Sequence, residues 1–119
     1  MTSKKNNPDI YNVSLHDFEK NVIEASRQRP ILLDLWADWC SPCIVIAPIL
    51  NQVIAELEGR VALAKVEVDE GENMKLAGRY KVRGFPTIIL FQHGEEKARF
   101  SGARPASFID NFIHENAEL

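Results

Sequence analysis

The sequence predicts one α/β domain, a central mixed β-sheet flanked by helices on both faces. Three observations predict it. Residues 31–37 and 61–68 are almost continuous apolar runs, the pattern of strands buried on both sides in a parallel pair. Residues 40–57 between them carry helical spacing, which gives strand, helix, strand with a right-handed crossover. The length of 119 residues suits one compact domain and is too short for two ordinary ones.

Taken in order, residues 1–9 are polar and end in Pro8-Asp9, which reads as a flexible tail ahead of a domain over 10–119. Residues 10–13 suit a short strand. Ser14 offers a helix N-cap, with Asp17 three residues on in a capping-box-like arrangement. Leu15, Phe18, Val22 and Ala25 then define an apolar face, and Pro30 marks the limit of that helix. The strand at 31–37 reads Ile-Leu-Leu-Asp-Leu-Trp-Ala. The helix over 40–57 is broken or kinked at Pro48 and ends at Gly59, a C-terminal cap. After the strand at 61–68 come a short helix at 72–80 and a strand at 87–92. His93-Gly94 is a tight turn, and residues 95–100 form the hairpin partner. A final helix over 105–114 presents Phe108, Ile109, Phe112 and Ile113 on one face.

Composition narrows the function. Apolar residues make up 45% and charged ones 26%, with a formal net charge of -3. This is the balance of a soluble globular protein, without the basic footprint that nucleic acid or anionic lipid demands. No apolar signal core follows the charged start, and no run approaches the ~20 residues of a membrane helix. The expected compartment is therefore the cytoplasm. The two cysteines are three apart and cannot staple distant parts of a fold.

Those cysteines carry the chemistry. In Trp39-Cys40-Ser41-Pro42-Cys43 the first long strand hands over to a helix. Pro42 fits the first helical turn, where its missing N–H is not needed. A helix N-terminus offers free N–H groups and partial positive charge, which stabilise a thiolate. Cys40, at the exposed entrance, is expected to attack; Cys43, one turn in, is expected to be shielded and to resolve the mixed disulfide. A C-x-x-C pair is also half of a zinc site, but His16, His93 and His114 are scattered without partner spacing. The redox reading is preferred, and it needs no metal and no organic cofactor. Asp34 is the only charge in its buried-looking strand. Desolvation there raises a carboxyl toward the range of a general acid or base, whereas a solvent-facing position would leave it ordinary.

Together with Ala47-Pro48-Ile49-Leu50, residues 64–69, Val82-Arg83-Gly84-Phe85-Pro86-Thr87, Phe91 through Gly94 and Gly102-Ala103, this segment closely resembles the thioredoxin family over residues 10 to 114. The resemblance implies the thioredoxin fold and a thiol–disulfide oxidoreductase that reduces disulfides in client proteins. It makes Cys40 the nucleophile, Cys43 the resolving thiol and Asp34 the buried proton carrier, with Lys65 nearby. Pro86 would be cis, and the backbone around Phe85 would hold an extended peptide by strand-like hydrogen bonds. Trp39, Ser41, Pro42, Gly84, Phe85, Pro86, Gly102 and Ala103 would form the docking surface. The implied partners are disulfide-containing clients and a thioredoxin reductase, and the implied state is a monomer. The sequence departs from the family at Ser41, where glycine is usual, at Ile44, where lysine is common, and at Ser101, where an apolar residue is common. The alternative reading is a redox-linked chaperone or client-binding module that uses the apolar surface around Trp39, Ile44 and Phe85.

Overall fold

The computed structural model describes residues 7–119. Five strands form one sheet in the spatial order β1–β3–β2–β4–β5. They are β1 (Ile10–Asn12), β2 (Ile31–Trp36), β3 (Ala62–Glu67), β4 (Thr87–Gln92) and β5 (Glu95–Ser101). β1 and β2 run parallel to β3, whereas β4 is antiparallel to β2 and β5, so the sheet is mixed as expected. The helices are α1 (Ser41–Glu56), α2 (Met74–Arg79) and α3 (Ala106–Asn116). Among the described residues no helix is long and apolar enough to cross a membrane.

Alternation along β2 divides the core. Ile31, Leu33 and Leu35 pack with Phe18, Val22, Leu76 and Phe91 on one face. Leu32 packs with Ile46, Leu50, Ile54, Ile109 and Phe112 from α1 and α3 on the other. Side chains two apart on a strand share a face, so Asp34 lies on the α1 side of the sheet with Leu32. Every residue from Ile31 to Leu35 is buried, as a central strand covered on both sides requires.

The first helix differs from its expected form. Residues 19–24 make a π-helical turn that runs into a 3-10 turn over residues 25–27. Only half of the capping box forms: the Ser14 N–H donates to Asp17 Oδ1 at 2.7 Å, but no side-chain cap closes the helix start. The buried positions are Phe18, Val22 and Ser26, four apart, which a wider π turn keeps on one face. Ser26 thus takes the core-facing place expected of Ala25. Its hydroxyl donates to the Ile23 carbonyl at 2.6 Å and accepts from the Gly94 N–H at 2.9 Å.

α1 continues through Pro48 without a break. It ends where Glu58 and Gly59 take φ of 50° and 88°, the left-handed geometry that terminates helices. Residues 1–6 of the expected tail lie outside the described residues. The remainder, 7–9, is bonded into the fold: Asp9 accepts from Arg29 Nη1 at 2.7 Å, and its carbonyl accepts from the Leu63 N–H at 2.7 Å.

Candidate active site

The sheet and α1 place two cysteines at one helix end. Cys40 is extended, with φ -99° and ψ 105°, and is the N-cap of α1. Its Sγ accepts the backbone N–H of Cys43 at 3.2 Å, the bond that a cap oxygen ordinarily takes. Pro42 occupies the first turn and leaves no N–H unsatisfied there. Cys40 and Cys43 are joined as a disulfide, with Cα atoms 5.3 Å apart, so the structure is that of the oxidised form.

Cys40 is less exposed than expected. It is 5% accessible and Cys43 is 2%, which preserves the expected order but buries both. Both belong to an apolar cluster against which Phe85 and Trp36 pack, and Trp39, at 63%, takes the exposed position instead. The Phe85–Pro86 bond is cis, as the resemblance implied. The loop that carries it is tied down: the Thr87 hydroxyl donates to the Gly84 carbonyl at 2.6 Å, and the Gly102 N–H donates to the Pro86 carbonyl at 3.0 Å. The Trp39 and Phe85 rings meet edge to face at 6.0 Å, and the Trp39 indole N–H donates to Asp69. Trp39, Phe85, Pro86 and Gly102 are thereby brought together. Ser41, Pro42 and Gly84, next in sequence to these and to Cys40, are exposed, and so is Ala103 after Gly102.

Beneath the pair lies Asp34, 1% exposed, in strand register with Lys65. Burial pushes its carboxyl up to about 7, against a smaller lowering by the Lys65 ammonium. Asp34, Trp36, Cys43, Ile44, Ala47 and Lys65 line one cavity of about 180 Å3. Asp34 Oδ1 and Trp36 Nε1 are the two buried side-chain polar atoms without a hydrogen-bond partner among the described residues. Both belong to residues of this cavity's wall, so its polar character comes from the group expected to move a proton.

Sequence reasoning assigned no part to three of the residues here. Asp69 anchors Trp39 from 30 positions away, and no local pattern announces that bond. Trp36 stands in the apolar run of β2 as one more buried-looking residue, yet it lines the cavity and its buried indole N–H has no partner among the described residues. Val45, 57% exposed, extends the apolar surface of Ile44, which is 55% exposed. Its signal was available: it follows Ile44 between Cys43 and Ile46, two of the buried positions of the helix.

Comparison with known proteins completes the picture. The family model described as Thioredoxin matches residues 9–115. The chain is 38% identical over 107 residues to Thioredoxin of Pseudomonas aeruginosa, covering 90% of this chain and 95% of that one. It is 37% identical over 107 residues to Thioredoxin C-2 of Corynebacterium nephridii, covering 90% and 95%. It is 36% identical over 108 residues to Thioredoxin of Haemophilus influenzae, covering 91% and 97%.

Proposed function

The chain belongs to the thioredoxin family, and from that premise we propose how its residues divide the work. It is a thiol–disulfide oxidoreductase that reduces protein disulfides. Cys40, as thiolate, attacks one sulfur of a client disulfide; a Cys40–client bond forms, and the other client sulfur leaves as a thiolate. Cys43 then gives its proton to Asp34 across the shared cavity and attacks Cys40 Sγ. The Cys40–Cys43 bond forms, the second client sulfur leaves, and the proton returns through Asp34. Two electrons have passed from the dithiol to the client. A thioredoxin reductase restores the dithiol in a cytoplasm whose poise keeps it reduced, and the protein acts as a monomer. No finding favours the client-holding alternative.

The observation that supports this reading best is the Cys43 N–H bond to Cys40 Sγ, with Asp34 buried under the same helix turn. A thiolate accepts that bond more strongly than a neutral sulfur does, so the helix start favours the attacking form. The test is turnover of a disulfide-bridged protein with dithiothreitol as electron source. Catalysis well above the reductant alone is expected, and its absence overturns the reading.

Ile44 gives a graded check. Its side chain is exposed and also lines the cavity beside Cys43 and Lys65. A lysine ammonium at that position adds Coulomb attraction for a thiolate, weakened by solvent and salt. Ile44→Lys is expected to move the pH profile of Cys40 alkylation by iodoacetamide slightly downward, more so at low salt. An unchanged profile at low salt would show that position 44 does not sense the dithiol.

A further inference from the structure

A groove of about 270 Å3 runs beside the cis-proline loop, lined by residues of the 81–84 segment, Thr87 and the 99–101 end of β5. Lys81, Arg83 and Arg99 all contribute to it. Arg99 is already matched: its guanidinium donates to both oxygens of Glu96, at 2.6 and 2.8 Å, and to the Tyr80 carbonyl at 2.8 Å. Lys81 and Arg83 make no ion pair among the described residues. Lys81 holds φ at 57°, a conformation uncommon for a lysine. Two bonds that close the end of α2 fix it there: Lys81 N–H to the Gly78 carbonyl at 3.1 Å and Val82 N–H to the Ala77 carbonyl at 2.8 Å. Gly84, with no side chain and open space where a Cβ would stand, keeps the groove unobstructed.

Charge on the other side of Trp39 has the opposite sign. Asp69 holds the Trp39 indole, and Asp38, Asp69 and Glu70 lie close enough to Glu67 to add to the rise that desolvation gives its carboxyl. The surface around the dithiol is therefore polarised, acidic past Trp39 and cationic past Phe85.

We infer that the Lys81–Arg83 groove binds a carboxylate side chain of the client, two residues along from the one seated at Phe85, and so fixes which way the client segment lies. This rests on the reading above, in which an extended client strand pairs with the backbone at Phe85. Strand residues two apart share a face and are about 7 Å apart, which carries the second side chain from Phe85 past Gly84 to the groove. An acidic residue there meets two uncompensated cations. With the segment reversed it points toward Trp39 and the acidic group that Asp69 begins.

The experiment compares two disulfide-linked peptides, identical except for Glu or Gln two residues from the reacting cysteine, taken as the residue seated at Phe85, with the wild type and with Lys81→Gln/Arg83→Gln. At low salt the wild type is expected to favour the Glu peptide in kcat/KM by about fivefold, the scale of partly screened surface pairs. High salt should shrink that preference. The double variant should reduce both peptides at the wild-type rate for the Gln peptide. Equal wild-type rates for the two peptides, or an undiminished preference in the double variant, would overturn the inference while leaving the reductase intact. Turnover of neither peptide would overturn the reductase reading itself and the inference with it.

Discussion

Cys40→Ser is expected to bring turnover down to the rate of the reductant alone, whereas Cys43→Ser stops the reaction one step later. The asymmetry follows from position. Cys40 Sγ sits at the helix cap and accepts the Cys43 N–H, and Cys40 is the more accessible residue of the pair. Removing it leaves Cys43, 2% exposed, which no client disulfide reaches directly. Removing Cys43 keeps the nucleophile but takes away the group that expels the client. The Cys43→Ser protein should therefore accumulate as a mixed disulfide through Cys40, visible by non-reducing electrophoresis and intact-mass measurement. Normal turnover by Cys43→Ser, or trapping through Cys43 in Cys40→Ser, would reverse the assigned roles.

Asp34→Asn is expected to slow exchange on the order of 10- to 100-fold and to stabilise the fold at alkaline pH. The two effects have one origin. Burial lifts the Asp34 carboxyl from 3.8 to about 7 in the folded protein, with Lys65 pulling weakly the other way. Between those values the folded state holds a proton that the unfolded chain has released, so stability falls as pH rises. Below about pH 4 the carboxyl is neutral in both states and costs nothing. Above pH 7 the folded protein carries a buried charge, at a penalty of roughly 4 kcal/mol. The asparagine variant carries none, so it should melt higher than wild type at pH 8 and close to it at pH 4. Its rate profile should also lose the inflection near pH 7. If profile and melting temperature both stay unchanged, Asp34 has only a structural part.

The sequence revealed most where a single residue type broke a strong pattern. Asp34 stood out because it was the one charge in a run whose every other member is apolar, and it lies at the cavity under the dithiol. β2, β3 and β4 were legible from their apolar runs, and β5 from the His93-Gly94 turn that makes it the hairpin partner of β4. The first helix was misread in detail because Leu15, Phe18, Val22 and Ala25 fit an α-helical stripe, while the buried set runs through Ser26, a polar residue that hides its burial behind two hydrogen bonds. Contacts made across the fold left no trace: Trp39 with Asp69, or the Gly102 N–H with the Pro86 carbonyl, join residues whose pairing exists only after the sheet forms. Lys81 was equally silent. Glycine at a helix end advertises a left-handed residue, as Gly59 does, but lysine does not.

The bond from Cys43 N–H to Cys40 Sγ makes one sulfur both reagent and keystone of α1. On the proposed mechanism the attacking Cys40 thiolate closes the first turn more firmly than a neutral sulfur does. Once that sulfur is committed to a client it becomes neutral and grips the turn less tightly. The helix start is then loosest at the moment when Cys43 has to swing toward Cys40 and release the client. On the proposed roles the chemistry times its own flexibility: the cap bond would be strongest while the thiolate waits for a client and weakest while the client is bound.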